Sequence, residues 1–378
     1  MRKIFIAVER RADYSRFRPI LQELQKDNFF KVHLVVTGIC LLPNHGKDID
    51  YIKKDGFKIS AEIPMFDKKN PDSGFGMVKA LSKVLFGISS EINKVKPDIV
   101  LTGFDIGANF AATIAAAHQN IPVAHIQGGE VTGSIDESIR HAMSKFAHIH
   151  FPATELSKKR LIKMGEDPKN IYVVGCPSID VIKNTPVLPK NILSNKYNID
   201  FSKPFVLVIQ HPVTTEYKES YKQILETINA IKESDVQAIF LLPNNDAGYS
   251  KIIASIKKSG LKWYPSLSTL DFVNLYRNAW AIVGNSSSGI HECTTLKIPS
   301  INIGSRQYGR ERSSNVINAD YNKDEIKKAL KKALFNNVFR EKIKKNKNPY
   351  GNGNSAKQIV KILKKVNLNE IIQKKFYE

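Results

Sequence analysis

Four charged side chains crowd one short stretch of this chain. Glu130, Asp136, Glu137 and Arg140 follow two glycines in His125-Ile-Gln-Gly-Gly-Glu-Val-Thr-Gly-Ser-Ile-Asp-Glu-Ser-Ile-Arg140. The stretch leaves the apolar run Ile121-Pro-Val-Ala124 and enters a helical pattern. A buried strand that empties into a glycine turn and then into carboxylates sets proton-transfer chemistry at the carboxyl edge of a sheet. Arg140 lies four residues after Asp136 and is expected to orient it, at the spacing that an ordinary helix-surface pair also has. Upstream, Thr102-Gly-Phe-Asp-Ile-Gly107 puts Asp105 just past another apolar run. Asp105 can face the same edge, or it can cap the alanine-rich helix expected over residues 111–118.

A second group of residues suits anions. Gly284-Asn-Ser-Ser-Ser-Gly-Ile-His-Glu292 follows a strand-like run and opens a helix. Small residues admit a ligand close to the backbone, and hydroxyls with free amides at a helix start bind phosphate. Ser286 and Ser287 fit that role, and Glu292 is placed to take ribose hydroxyls. The same string also reads as a serine-rich cap. His211, in Gln210-His-Pro-Val-Thr, ends another strand, where it donates to phosphate, acts as an acid or is simply structural. Asn244, in Leu241-Leu-Pro-Asn, suits a base or a phosphate, or a plain turn. Arg306, Arg310 and Arg312 share a glycine-containing loop, and guanidinium matches phosphate in forked geometry. It also reads as a solvated basic loop. Four such motifs at successive strand ends point to a nucleotide diphosphate. Arg11 and Ser15, just past the first strand, either reach the same cleft or start a helix.

The elements that must position these residues alternate. Strand-like runs at 3–8, 32–37, 99–102, 123–126, 148–152 and 171–174 are each followed by a helical pattern, which predicts a parallel sheet covered by helices. Residues 184–198, with Pro186 and Pro189, read as a linker. A second alternation runs through 205–210, 238–242, 280–283 and 300–303. The expectation is an α/β protein of two lobes, 1–183 and 199–354, with a cleft between them. A terminal helix over 355–376 is expected to pack back on the first lobe. At 378 residues with 42% hydrophobic residues, two folded domains are the natural reading. No apolar run reaches the roughly 18 residues of a membrane span. Cys40, Cys176 and Cys293 are too few and too scattered for a disulfide framework or a metal site, so a cytoplasmic protein is expected. The net charge of +21 invites a nucleic-acid reading. Its lysines, however, fall on helical faces such as Lys327-Lys328 and Lys331-Lys332. The expectation is therefore solvated surface, with no specific nucleic-acid or membrane partner.

At these residues the chain resembles the hydrolysing UDP-N-acetylglucosamine 2-epimerases of sialic- and related nonulosonic-acid biosynthesis. The resemblance runs from Arg11-Ala-Asp-Tyr to Gly304-Ser-Arg-Gln-Tyr-Gly-Arg310. Its most specific parts are Gly128 to His141, Gly175-Cys-Pro-Ser178, His211-Pro-Val-Thr214 and Gly284 to Gly289. It implies two Rossmann-like lobes resembling the B-type glycosyltransferase fold, with a UDP-sugar in the cleft, no cofactor and no metal, and a homodimer or homotetramer. The implied reaction eliminates UDP as the C2 proton leaves, then adds water to release the C2-inverted sugar. By the resemblance, Asp105 and Asp136 match catalytic carboxylates. His211, Asn244, Ser286, Ser287, Glu292 and Arg306 match UDP contacts. Arg11 and Ser15 match positions reaching the nucleotide-sugar, and Phe272 looks like the side chain that meets uracil.

The chain departs from the pattern in three places. Glu9-Arg10 stands where many members have Gly-Thr, and Ile106 stands where they have arginine. Gln127 stands where a catalytic glutamate is common. Glutamine cannot exchange a proton, so Glu130, Asp136 or Asp105 takes that part, with Arg140 and His211 beside them, or the sugar differs. The expected substrate is UDP-N-acetylglucosamine or a 2,4-diacetamido-6-deoxy UDP-sugar. The other readings are a glycosyltransferase of similar fold and a non-catalytic binder of nucleotide-sugar.

Overall fold

The computed structural model describes the chain except residues 68–71 and 106. Among the described residues, twelve strands form two parallel sheets. The first lobe holds β1 (Arg2–Val8), β2 (Phe30–Thr37), β3 (Ile59–Ile63), β4 (Ile99–Gly103), β5 (Val123–Ile126) and β6 (Ile149–Phe151). Their spatial order is β3-β2-β1-β4-β5-β6. The second holds β7 (Phe205–Ile209), β8 (Gln237–Leu241), β9 (Lys262–Tyr264), β10 (Ala281–Gly284), β11 (Ser300–Ile303) and β12 (Val316–Ala319), in the order β12-β11-β10-β7-β8-β9.

Each sheet is buried on both faces, which explains the continuous apolar runs. In β1, Ile4, Ile6 and Val8 enter one core while Phe5 and Ala7 enter the core on the opposite face. In β7, Val206 and Val208 divide from Phe205, Leu207 and Ile209 in the same way. Side chains alternate across a strand, so a doubly covered sheet needs apolar residues at every position. Each sheet reverses its winding beside its first strand, between β1 and β4 and between β7 and β10. Loops leaving the carboxyl ends diverge there and open a crevice.

Several expectations need correction. Residues 171–174 are not a strand. Ile171 makes an isolated bridge to His150, and a few residues on the Cys176 amide donates to the Tyr350 carbonyl. The region read as a linker contains a helix, Lys190–Tyr197. Leu193 and Tyr197 lie four residues apart and are both buried in the second-lobe core, so Pro189 starts a helix there. The terminal helix is Ser355–Lys365 and stops well short of residue 376. Ala356, Ile359, Val360 and Leu363 join the first-lobe core. The tail beyond is fixed by a charge instead: Lys374 bonds the Ser144, Lys145 and Ala147 carbonyls at the end of helix Ile135–Phe146 and pairs with Glu166. The strands β3, β9 and β12 were not expected from the sequence. All three lie at sheet edges or ends, and none has a continuous buried run.

Candidate functional site

The loops that leave β1, β4 and β5 face those that leave β7, β8, β10 and β11, and two adjoining compartments lie between them. One is lined mainly by hydroxyl, amide and apolar groups, including Ser15, Asn244, Phe272, Ser286, Ser287 and Glu292. The other is lined by Arg10, Asp105, Gln127, Glu130, Asp136, Arg140, Arg306 and Arg310. Ala12, Arg16, His211, Asn244, Ser286 and Ser287 border both.

Backbone geometry builds the hydroxyl-lined compartment. Gly284 has φ of +124°, and a Cβ there would lie 2.1 Å from the Ile209 carbonyl oxygen. Only glycine lets β10 end this close to β7. Asn285 then ties the two strand ends together: its Oδ1 accepts the His211 amide at 2.7 Å and its Nδ2 donates to the His211 carbonyl at 2.8 Å. His211 Nδ1 accepts the Asn244 amide at 3.2 Å. Burial first, then Arg306 and Arg10, holds the ring's pKa well below the usual histidine value. His211 is therefore a neutral imidazole whose proton sits on Nε2, a donor and not an imidazolium acid. Phe272 packs edge-on against Tyr276 at 5.4 Å. Glu292 is buried, its Oε2 has no partner among the described residues, and burial raises its pKa. It is poised to accept hydroxyl donors.

The charged compartment is a network. Gln127 follows β5 directly with φ of +60°, a conformation uncommon outside glycine. Gly129 follows at +80°, where a Cβ would lie 2.3 Å from the Ser157 carbonyl oxygen. This turn aims Glu130 across the cleft. Its carboxylate receives Gln127 Nε2 at 2.8 Å, His291 Nε2 at 3.2 Å and Arg310 at 3.4 Å. Burial opposes ionisation, but His291, Arg310 and Arg140 overcome it and hold Glu130 far below the usual glutamate range. It is a fixed anion.

Arg140 does not orient Asp136. Its guanidinium turns inward to pair with Asp105 and to donate to the Glu130 carbonyl at 2.9 Å. Nor does Asp105 cap a helix beginning at 111, for the helix is Gly107–His118. Asp136 pairs instead with Arg306 of the other lobe at 3.3 Å. The two aspartates are thereby driven apart. Burial would raise both. Arg140, Arg310 and Arg16 bring Asp105 below the usual value, whereas burial and the neighbouring Asp105 keep Asp136 above it. Two carboxylates in divergent environments can divide acid and base work.

Arg11 and Ser15 line the hydroxyl-lined compartment from helix Arg11–Gln25, with their polar groups engaged inside the first lobe. Arg11 pairs with Asp48 and lies over the Tyr51 ring at 4.4 Å, so its charge is already met although it lines the compartment. Ser15 Oγ donates to the Ala12 carbonyl at 3.0 Å. Arg312 points away, to Asn318 Oδ1 and the Arg310 carbonyl. Ile106 lies outside the described residues. Sequence reasoning missed Arg10, Arg16, His291 and Gln307. Arg10 bridges the lobes to Asp246 at 3.4 Å and lies 3.5 Å from Glu9. Arg16 donates to Ser287 Oγ at 3.1 Å and lies over the Phe104 ring at 4.7 Å. The cluster Arg10-Arg11, Arg16 and Arg18 at a strand end was the available signal, but spacing does not separate Arg16 from Arg18, which pairs with Asp55 at 2.7 Å. Among the described residues, no group of three or more His, Cys, Asp or Glu is placed to hold a metal.

A family profile described as UDP-N-acetylglucosamine 2-epimerase matches residues 22–364. The chain is 37% identical to the UDP-N,N'-diacetylbacillosamine 2-epimerase (hydrolyzing) of Legionella pneumophila, over 99% of both chains. It is 33% identical to the GDP/UDP-N,N'-diacetylbacillosamine 2-epimerase (hydrolyzing) of Campylobacter jejuni, over 100% of this chain and 99% of the other. Its fold superposes on the UDP-GlcNAc 2-epimerase of Neisseria meningitidis bound to UDP-GlcNAc. The TM-score is 0.81 at 22% identity, covering 96% of this chain and 99% of that one. With nearly the whole chain inside the profile and full-length relatives above 30% identity, this protein belongs to the UDP-N-acetylglucosamine 2-epimerase family.

Proposed function

We propose that this protein is a hydrolysing UDP-sugar 2-epimerase that takes a 2,4-diacetamido-6-deoxy UDP-sugar in preference to UDP-N-acetylglucosamine, in a route to nonulosonic acids. The nucleotide occupies the hydroxyl-lined compartment, with uracil against Phe272 and ribose hydroxyls on Glu292. The diphosphate lies at the border, against Ser286, Ser287, the Nε2–H of His211 and Arg16. The sugar lies in the charged compartment. The observation that carries the reading is how the carboxylates of that compartment are engaged. Asp105 is paired with the buried Arg140, and Glu130 is held by Gln127, His291 and Arg310, whereas Asp136 meets only Arg306, at 3.3 Å, among the described ion pairs, and burial beside Asp105 favours its protonated form. A base for a weakly acidic C–H needs proton affinity brought toward neutral pH, not a carboxylate locked in ion pairs.

Asp136 removes the C2 proton. The electron pair of the C2–H bond forms the C1–C2 double bond, and the C1–O bond breaks with its pair leaving on UDP. Water then adds its oxygen to C1 and gives up a proton to solvent, while a solvent-derived proton is delivered to the opposite face of C2; the proton held by Asp136 is released to solvent, and the inverted free sugar leaves. Asp105 raises the affinity of Asp136 for the proton, and Arg140 holds Asp105 in place. Arg306 steadies Asp136 without neutralising it. The similarity to two hydrolysing diacetylbacillosamine 2-epimerases supports the choice of sugar. The free, buried Cys40, Cys176 and Cys293 suit the cytoplasm.

The test is product analysis by mass spectrometry in deuterated water, with each of the two UDP-sugars and no acceptor. The expected result is UDP plus a free sugar carrying one deuterium at C2, formed faster from the diacetamido substrate. Sugar release that requires an added acceptor, or a product without deuterium, refutes the reading.

A further inference from the structure

Two carboxamides in the charged compartment present acceptors with nothing to accept. Gln127 is 2% exposed and Gln307 is 1% exposed, and both line the compartment. Each amide nitrogen is committed. Gln127 Nε2 donates to Glu130 Oε1 at 2.8 Å, and Gln307 Nε2 donates to the Asn285 carbonyl at 2.8 Å. A carboxylate held ionised and a backbone carbonyl only accept, so neither amide can be turned over. The oxygen of each is thereby fixed in direction. Both oxygens are buried and without a partner among the described residues. A buried polar atom left unpaired costs free energy, and a pair of them in one cleft marks a ligand that supplies donors. A donor is also left over: Arg310 Nε is buried without a partner among the described residues, and Arg10 Nε has only the 3.5 Å ion pair to Glu9, in the same compartment. An acylamino group offers one N–H to such an oxygen and one carbonyl to such a guanidinium.

We infer that Gln127 and Gln307, one from each lobe, are specificity-determining residues whose side-chain oxygens accept the N–H groups of the sugar's acylamino substituents. The inference rests on the UDP-sugar reading above. It also explains the residue at 127. Glu130 is already an anion held by His291 and Arg310, so a second carboxylate 2.8 Å away would force one of the two to take a proton. A neutral amide fits there, fixed and unable to exchange a proton. Gln127 is a reader of the sugar and not a proton carrier.

The experiment compares two affinities in an Asp136→Asn background, where the substrate is not consumed. Dissociation constants for UDP and for the UDP-linked 2,4-diacetamido-6-deoxy sugar are measured by calorimetry, with and without Gln127→Met or Gln307→Met. The expected result is about tenfold weaker binding of the UDP-sugar in each variant, the size of one lost hydrogen bond, with UDP affinity unchanged. Unchanged UDP affinity also shows that the cleft is folded. Where Gln127→Met disturbs it, Gln127→Asn keeps the amide and withdraws the oxygen by one methylene. With Asp136 intact, Gln127→Met should raise KM and leave the pH profile of kcat in place. UDP-sugar affinity within twofold of the parent in both variants overturns the inference, as does a pH profile that changes on loss of Gln127. Absence of UDP release from any sugar by the unaltered protein refutes the proposed reaction instead, and the affinity comparison still reads the two amides.

Discussion

The two halves of the cleft are built by different physics. The hydroxyl-lined half rests on backbone: glycine at 284, the Asn285 clasp between β7 and β10, and a neutral histidine fixed by an amide. Most of its polar groups are short and uncharged; Arg11 is paired with Asp48, and Glu292 is a carboxylate left for hydroxyl donors. The charged half is built from long side chains that hold one another. Arg10, Arg140, Arg306 and Arg310 each have a carboxylate within 4.0 Å, from Asp246, Asp105, Asp136 and Glu130 respectively. Arg16 has no such partner among the described residues, and it borders both halves. A neutral half suits steady recognition of the part of a substrate that does not change. A half whose charges are mutually balanced suits chemistry, because its electrostatics are set before the substrate arrives. The unbalanced cation at the border belongs where charge develops, on the departing diphosphate.

That division breaks most sharply at Asp136. Asp136→Asn should reduce kcat by about 10²–10⁴-fold, the usual weight of a positioned base. UDP affinity should stay within about tenfold, because the nucleotide sits in the other half. The sign of the pH dependence follows. A base must be deprotonated, so kcat/KM should fall as pH drops through the raised pKa of Asp136, above the usual aspartate range. The asparagine variant should lack that acid limb. Steady-state rates across pH check both, and an intact limb in the variant would assign the base elsewhere.

Arg16 should come next. Arg16→Met removes a charge-assisted hydrogen bond to the leaving group, about 1.5–3 kcal/mol, or roughly ten- to a hundredfold in kcat/KM. Arg11→Met should cost less, since Arg11 spends its charge on Asp48. An equal loss from the two would erase the distinction between a free and a paired cation.

The sequence reveals one half of the cleft better than the other. The neutral half was readable because its residues lie in contiguous strings at strand ends, Gly284 to Glu292 and Gln210 to Thr214, and local spacing is what a sequence displays. The sheets were readable for the same reason: a doubly covered parallel strand is apolar throughout, as at 205–209, while the edge strands β9 and β12 are not and went unread. The charged half is long-range. Arg140 is four residues from Asp136, yet it pairs with Asp105, and Asp136 pairs with Arg306, 170 residues away. Helical spacing shows which pairs are possible. It does not show which is bettered by a partner from another strand. Gln127 was visible as a departure, but its consequence depends on His291 and Arg310, whose place beside Glu130 comes from the meeting of the two lobes.

The smallest effect tests the border itself. Ser287→Ala should weaken UDP binding by about 1 kcal/mol, roughly fivefold, for one neutral hydrogen bond. Ser287 Oγ also accepts from Arg16, so the two side chains form a unit before any ligand binds. If phosphate is held by both, the loss in Arg16→Met/Ser287→Ala should be smaller than the sum of the single losses, because removing either one already spoils the geometry of the other. Calorimetry with UDP on the four proteins of that cycle measures the difference. Simple additivity would mean that Arg16 leaves Ser287 when the nucleotide enters. The two halves of the cleft would then meet through the diphosphate alone, not through a contact made in advance.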